Sequence, residues 1–228
     1  MPTHLLREIE KLKKEILNLC ARVEDAVRQA AVAIEKRDAE LAEKIIKSDT
    51  AIDHQEVEVE EECLKLLALY QPVAIDLRFI IAMLKINNDL ERIGDLAVNI
   101  AERAVFLATQ PRTDLSFDFT AMANVAQSML KKSIDALVNQ SVELAKEVCA
   151  ADNTIDAMNR EMYMKVMDEI LAHPKQIAPL IHLLSVSRYL ERIADHATNI
   201  AEDAIYMIEG RIVRHKTEDY NLPQKLDT

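Results

Sequence analysis

The sequence is poor in the residues that shape turns and β-structure. It contains 2 glycines, 6 prolines and no tryptophan, and aromatic residues make up only 4% of its 228 positions. An all-β sandwich or an α/β enzyme needs many glycine-containing turns, and a phosphate-binding loop needs several glycines together. The chain is rich instead in Ala, Leu, Ile, Glu and Lys, and 50% of it is hydrophobic. This composition predicts a nearly all-helical protein.

Basic residues are scarce relative to acidic ones. The chain has 28 lysines and arginines against 39 aspartates and glutamates, which gives a formal net charge of −11. A charge of this sign repels phosphate backbones, so we expect no nucleic-acid partner. Free anionic substrates are also disfavoured unless a metal ion intervenes.

Long apolar runs are missing as well. The longest stretch, from Val73 to Ile86, contains Asp76, Arg78 and Lys85, so we expect no helix inserted in a membrane. The N-terminal residues lack the apolar segment of a signal peptide. The three cysteines are far apart at apolar helical positions, which predicts reduced core residues and a cytoplasmic protein. These cysteines are Cys20, Cys63 and Cys149.

An internal repeat organises the chain. Residues 90–104, LERIGDLAVNIAERA, match residues 190–204, LERIADHATNIAEDA, at eleven of fifteen positions. Upstream, residues 39–53 resemble residues 142–156. A duplication of this length indicates two copies of one structural unit. We therefore predict an all-α fold of two tandem three-helix bundles related by an internal pseudo-repeat.

Apolar periodicity and the prolines place three helices in each half. The predicted helices are one through residues 9–33, one at 38–69 that restarts near Ser48 and Asp49, one from Pro72 to Ala108, and three at 117–150, 153–172 and 176–209. The predicted domains are a first bundle at residues 1–110, a second bundle at 114–212 and a polar C-terminal tail at 213–228.

Acidic stripes recur on the second and third helices of each half. At 100° per residue, their oxygen-bearing side chains share one face of each helix, about one turn apart. Glu56 and Glu60 continue one stripe, where the second half has Asn159 and Tyr163. The candidate metal-ligating residues are Asp49, Asp53, Glu91, Asp95, Asn99 and Glu102 in the first half, and Asp152, Asp156, Glu191, Asp195, Asn199 and Glu202 in the second.

The stripes have two interpretations, a solvated acidic face or a metal-binding face. Exposed helices usually mix Glu with Lys one turn away, because like charges at that spacing repel. The repetition of unmixed acids in both halves favours metal, and spacing alone leaves iron, manganese, magnesium, calcium and zinc open. His54 and His196, next to Asp53 and Asp195, are interpreted as rim histidines or as support for a metal-bound carboxylate.

At these residues the sequence resembles the PhoU family, whose members regulate phosphate-specific transport. The resemblance rests on the twin LERI-(G/A)-D-x-A-x-N-I-A-E segments, the paired D-x-x-I-D segments and the QPVAIDLR stretch at residues 71–78. It implies two three-helix bundles with multinuclear metal clusters, of iron or zinc, held on the bundle surfaces by E(D)xxxD motifs. In this chain those motifs are Glu91-Asp95, Asp49-Asp53, Glu191-Asp195 and Asp152-Asp156.

The resemblance also implies a cellular role. It points to a cytoplasmic, homodimeric, negative regulator of the phosphate-starvation response that acts with the ATPase of a phosphate ABC transporter and with a sensor histidine kinase. The family pattern implies no catalytic activity.

Two other functions remain open at the level of sequence. One is a metal-free helical scaffold whose acidic face is simply solvated. The other is a carboxylate-bridged di-metal oxidase, which would use inward-facing Glu and Glu-x-x-His pairs. The sequence contains no Glu-x-x-His pair, and its acidic stripes face away from the apolar seam.

Overall fold

A computed structural model describes residues 3–113, 115 and 117–213. Within them the chain is helical, and no strand occurs among these residues. The predicted C-terminal tail lies outside the described residues, except for Val213. The helices of the described part are α1 Thr3–Lys36, α2 Ala39–Ser48, α3 Thr50–Tyr70, α4 Ala74–Ala108, α5 Phe119–Asn139, α6 Val142–Ala172 and α7 Ile177–Glu209, with a 3₁₀ turn at Pro174–Gln176.

The first bundle follows the sequence prediction closely. The Asp38 side chain accepts a hydrogen bond of 2.9 Å from the Leu41 amide, as expected at a helix N-cap. The predicted restart falls at Asp49, where α2 ends and α3 begins. The sequence predicted Pro72 in the first turn of α4, but α4 begins two residues later, at Ala74. The reason is that α3 ends at Tyr70, and the next residue, Gln71, has a left-handed φ of 45° that turns the chain away.

The second bundle corrects two predicted helix ends. A helix over 117–150 is wrong, because α5 ends at Asn139 and Gln140 takes a left-handed φ of 51°. Ser141 then caps α6, its hydroxyl accepting from the Leu144 amide at 3.3 Å. The break expected before Asn153 is also wrong, because α6 runs unbroken to Ala172.

A serine explains why the first half has a helix break between α2 and α3, whereas the equivalent helix of the second half, α6, is continuous. In α2 the Ser48 hydroxyl donates to the Ile45 carbonyl at 2.8 Å, a bond that competes with the helix backbone. The repeat places Ala151 at the equivalent point of α6, and alanine offers no such competition.

One continuous apolar core runs through both bundles. Helices α1–α4 form the first bundle and α5–α7 the second, so the predicted architecture is confirmed. The bundles meet mainly where α4 packs on α7, with α1 packing on α5 beside them. Cys20, Cys63 and Cys149 are buried and unbridged, as predicted.

Helices α4 and α7 run antiparallel at this contact. Lys85 Nζ lies 3.0 Å from Asp203 Oδ1, and at the other end the Phe106 and His182 rings stack with centroids 3.8 Å apart. Since residue numbers rise along one helix as they fall along the other, the equivalent positions 94 and 194 lie near the middle of the contact. Two copies of one unit thus pack around an approximate twofold axis. Among the described residues, no helix is long and apolar enough to cross a membrane.

Candidate metal centre

The junction of α2 and α3 presents two aspartates on one face. Asp49 keeps helical dihedral angles at the break, and its carbonyl accepts from the amides of Ile52 and Asp53 at 2.7 and 3.1 Å. The chain therefore stays helical enough for Asp49 and Asp53 to point the same way, one turn apart. This part of the acidic stripe survives the change of helix.

Gly94 lets this junction approach α4 closely. A Cβ atom on Gly94 would lie 3.3 Å from Ile52 Cγ2 and 3.6 Å from Asp49 Oδ1. A hydrogen in place of that Cβ therefore gives the Asp49 carboxylate room beside α4. The repeat places Ala194 at the equivalent position of α7. The two halves therefore differ in how tightly this contact can pack.

Five carboxylates from the two helix faces form what we call the first acidic face. These are Asp49, Asp53 and Glu56 with Glu91 and Asp95. Loss of water raises the pKa of Asp49 to about 6, and the charges of Asp53 and Asp95 add to the effect. Burial and the Asp95 charge likewise raise the pKa of Glu91. Carboxylates on different helices are thus close enough to oppose each other's ionisation.

Arg92 gives this face only partial compensation. Its guanidinium lies 3.4 Å from Glu91 Oε2 and 3.4 Å from Asp95 Oδ2, and the Arg92 side chain is itself 54% exposed. Glu91 Oε2 is buried yet accepts no hydrogen bond. Distances of this length at an exposed arginine make a weak pair. The first acidic face therefore keeps an excess of negative charge.

Four carboxylates form the second acidic face, at the equivalent place in the other bundle. These are Asp152, Asp156, Glu191 and Asp195. Burial is the main cause that raises the pKa of Asp152 to about 6, and the charges of Asp195 and Asp156 add to it. A weak hydrogen bond of 3.5 Å from Thr198 acts in the opposite direction and lowers this pKa. Burial and the neighbouring Asp156 charge also raise the pKa of Asp195. The electrostatic pattern of the first face is repeated.

The structure places the other four predicted site residues differently. Glu102 is exposed and lies 3.2 Å from Arg103, while Asn99 and Glu202 are partly buried. Asn199 Nδ2 donates to Asp89 Oδ1 of the first bundle at 3.3 Å.

Sequence reasoning assigned no role to the hydrogen bonds that join the two acidic helices within each half. Buried Asn87 donates to both the carbonyl and the side chain of Glu56 at 2.9 Å. In the second half, Ser187 donates to Asn159 at 2.6 Å. The offset of the repeat makes these equivalent pairs, with different side chains in equivalent places. Aligning the two halves beyond the acidic motifs would have revealed them.

His196 lies between the bundles. Its Nδ1 atom is 2.8 Å from Asp89 Oδ1, and its charge lowers the pKa of the neighbouring Asp195, against the larger effect of burial. His196 therefore contacts a carboxylate outside the second acidic face, whereas His54 is exposed.

The geometry of the acidic faces sets a condition for holding a cation. Within residues 3–113, 115 and 117–213, no three His, Cys, Asp or Glu side chains are gathered tightly enough to ligate a single ion. Burial nevertheless raises the pKa of Asp49 and of Asp152, and carboxylates on the neighbouring helix add to the effect, so a cation between the helices would relieve repulsion. The donor chemistry fits hard cations, and ligation requires these side chains to rotate inward.

Comparisons with known proteins identify the family. A PhoU domain matches residues 6–104 and 119–204, which covers both bundles. The chain is 41% identical over 212 residues to the phosphate-specific transport system accessory protein PhoU homolog of Aquifex aeolicus, covering 93% of this chain and 96% of that one. A homolog of the same name from Clostridium acetobutylicum is 36% identical over 207 residues, covering 90% and 94%.

Solved structures agree with the sequence comparisons. The crystal structure of PhoU from Pseudomonas aeruginosa superposes with a TM-score of 0.86 at 33% identity, covering 90% of this chain and 99% of that one. The regulatory protein PhoU from Streptococcus pneumoniae gives a TM-score of 0.81 at 30% identity, covering 92% and 99%. The full-length similarity and the shared architecture show that this chain belongs to the PhoU family.

Proposed function

We propose that this chain is an accessory protein of a phosphate transport system, regulates phosphate uptake and represses the phosphate-starvation response. The observation that carries this proposal is the similarity over both bundles to relatives named as accessory proteins of phosphate-specific transport. Similarity over the whole length supports a shared role better than a match to one bundle would. The role is regulatory and non-catalytic.

The partners we propose are the ATPase of a phosphate ABC transporter and a sensor histidine kinase, with this chain as a cytoplasmic adaptor between them. The accessory role in the relatives' names supports contact with the transporter. The net charge of −11 supports a protein partner over nucleic acid.

We also propose that each acidic face binds metal ions. Asp49, Asp53, Glu91 and Asp95 would hold them on the first face, and Asp152, Asp156, Glu191 and Asp195 on the second. The supporting observation is that burial raises the pKa of Asp49 and of Asp152, and that the charge of a carboxylate on the neighbouring helix adds to the effect in each half. Bound cations would neutralise this repulsion and hold each helix pair together. The oxygen-only donor set suits iron, manganese, magnesium or calcium better than zinc, which more often takes nitrogen and sulfur ligands.

A metal-free scaffold is the second candidate function. It is favoured by the spread of the carboxylates, since no three donors of the described residues form a ligating group. A di-metal oxidase has less support, because the acidic faces lie outside the apolar core that such enzymes use.

Deleting the gene is expected to derepress phosphate-starvation genes in cells grown with ample phosphate. The physical reason is that the adaptor would no longer transmit the state of the transporter to the kinase. A starvation-promoter reporter measures the effect, and returning the gene should restore repression. A silent reporter in the deletion strain would contradict the signalling role, and measured phosphate uptake would then test the transport role separately.

Replacing Asp95 and Asp195 together by Ala is expected to reduce bound metal by more than half without unfolding the bundles. Each acidic face loses one carboxylate that acts on its neighbours across the helix pair. Metal content of protein purified without a tag or chelator measures the effect, with circular dichroism as the check on folding.

A matched control is available in the repeat. Glu40 and Glu143 are exposed acids at equivalent positions in the first turns of α2 and α6. Replacing this pair by Ala removes the same charge and should leave metal content unchanged. Equal metal in all three proteins would reject the assignment, and less than a tenth of an ion per wild-type chain would favour the metal-free scaffold.

A further inference from the structure

The approximate twofold axis between α4 and α7 makes the two ends of their contact comparable. It exchanges each residue of α4 with the residue of α7 that is numbered 100 higher. At one end, Lys85 of α4 pairs with the buried Asp203 of α7 at 3.0 Å. The same exchange places Ser185 of α7 opposite Arg103 of α4 at the other end. An ion pair at one end therefore corresponds to an arginine facing a hydroxyl group at the other.

The contacts at the second end agree with this register. Phe106 and His182 stack there, with ring centroids 3.8 Å apart. Arg103 lies one turn before Phe106 and Ser185 lies one turn after His182, so in antiparallel helices these two residues also face each other. Burial, and then the charge of Arg103, lower the pKa of His182, so the two side chains are close. We call this group the Arg103 site: Arg103, Phe106, His182 and Ser185.

Two nitrogen atoms of the Arg103 site are buried without a hydrogen-bond partner among the described residues. These atoms are Arg103 Nε and His182 Nδ1. Unpaired buried polar atoms are uncommon, because leaving them unpaired costs stability. The Ser185 hydroxyl bonds within its own helix, donating to the Ile181 carbonyl at 2.9 Å. Ser185 is also small and uncharged, so it leaves space beside the guanidinium of Arg103.

Positive charge collects at this end of α4, although the chain as a whole is acidic. Arg103 is 29% exposed, and Glu102, 3.2 Å away, is 49% exposed and makes a weak pair with it. Arg37 reaches the same end of α4, donating to the Leu107 carbonyl at 2.6 Å. Burial and the charge of Arg112 lower the pKa of Arg37, which places a third arginine nearby. An anion that the net charge disfavours elsewhere is attracted here.

The chemistry of the two unpaired nitrogens selects among small oxyanions. The guanidinium Nε–H of Arg103 donates a strong hydrogen bond to an ionised oxygen. The lowered pKa keeps His182 neutral at pH 7, and a neutral imidazole has one nitrogen that accepts a hydrogen bond. Phosphate keeps a proton on one oxygen near neutral pH, whereas sulfate keeps none. With Nδ1 as the acceptor, phosphate satisfies both nitrogens and sulfate satisfies one.

We propose that inorganic phosphate binds between α4 and α7 at the Arg103 site. Arg103 Nε donates to one phosphate oxygen, and a protonated phosphate oxygen donates to His182 Nδ1. The ion takes the role that the Asp203 carboxylate has at the other end, and it strengthens the contact between the bundles. The anion site is argued from geometry alone, whereas the choice of phosphate also rests on the proposed function.

Isothermal titration calorimetry tests the site in the full-length, metal-free protein, with a chelator present so that no cation holds phosphate on the acidic faces. The wild type should bind phosphate at one site and sulfate at least about tenfold more weakly, because sulfate loses one hydrogen bond. Arg103→Gln should weaken phosphate binding at least about tenfold. Arg28→Gln is the matched control, since Arg28 is an exposed arginine paired with Asp25, and it should bind phosphate as the wild type does.

A second variant keeps the proposal testable where Arg103→Gln fails to fold. Ser185→Glu supplies the carboxylate that Asp203 supplies at the other end. In phosphate-free buffer this variant should melt at a higher temperature than the wild type, and added phosphate should no longer raise its melting temperature. Ser185→Gln has nearly the same shape without the charge, and it should show no such rise in phosphate-free buffer.

Three results would overturn the proposal. They are a metal-free wild type that binds no phosphate, equal phosphate affinity in Arg103→Gln and Arg28→Gln, and equal affinity of the wild type for phosphate and sulfate. The last result indicates a general anion site. These measurements involve neither a transporter nor a kinase, so their failure leaves the regulatory role in place. A silent starvation reporter, in turn, leaves the binding result intact.

Discussion

Replacing Lys85 by Met is expected to destabilise the protein by about 2–3 kcal/mol, since it removes the ammonium partner of a buried carboxylate between the bundles. Asp203 is only 2% exposed, and its Oδ1 lies 3.0 Å from Lys85 Nζ. Lys85 also lies over the Tyr206 ring, 5.3 Å from its centroid. Since Lys85 is itself 39% exposed, the expected loss is placed below the roughly 3–5 kcal/mol that is typical of breaking a fully buried pair. Thermal unfolding should move down by roughly 5–10 °C.

The chain offers a matched control for this prediction. Lys132 and Glu147 form an ion pair of nearly the same length, 2.9 Å, but both side chains are almost half exposed. Lys132→Met is therefore expected to change stability by less than about 0.5 kcal/mol. The double variant Lys85→Met/Asp203→Asn should recover part of the loss, because the buried charge is gone. Equal losses of stability in Lys85→Met and Lys132→Met would contradict the claim that burial of Asp203 makes its ion pair with Lys85 the more stabilising one.

The metal-free protein is expected to become more stable as the pH falls from 7.5 to 5. Burial and neighbouring carboxylates raise the folded-state pKa of Asp49 and of Asp152 to about 6, above the unfolded value of about 3.9. The folded state therefore binds more protons in this window, so stability is gained as pH falls and lost as pH rises through about 6. Allowing for the water that still reaches these groups, each contributes about 1 kcal/mol.

The variant Asp49→Asn/Asp152→Asn isolates this effect. Without metal it should be more stable than wild type at pH 7.5 by about 1–2 kcal/mol, and its melting temperature should depend less on pH. Glu40→Gln/Glu143→Gln removes two exposed acids at equivalent positions and should keep the wild-type pH dependence. Thermal melts between pH 5 and 7.5 in chelator measure all three proteins. A wild-type melting temperature that rises with pH would contradict the assigned cause.

The repeat made the fold predictable in its main features. Apolar seams on α1 and α4, the restart at Asp49 and the pairing of residues 90–104 with 190–204 led to two three-helix bundles. The helix ends of the second half were less predictable, because Gln140 ends α5 without a glycine or proline to mark it. A left-handed residue other than glycine depends on the packing around it, which local sequence does not reveal.

The acidic faces were predictable only one helix at a time. Helical spacing placed Glu91 with Asp95 and Asp49 with Asp53, but the approach of the two helices depends on Gly94 and the packing of Ile52. The contacts of Asn199 and His196 with Asp89 were not foreseeable, because they join the two bundles. Metal binding itself stays a prediction.

The sequence by itself determined the helical class, the duplication and the family, since composition and periodicity are properties of neighbouring residues. Tertiary structure decided which face of each helix meets its partner across the chain. It buried Asp203 beside Lys85, and it left large apolar side chains of α6 such as Met164 and Leu171 exposed. These outcomes depend on residues far apart in the chain, and their energies arise only when the two bundles pack together.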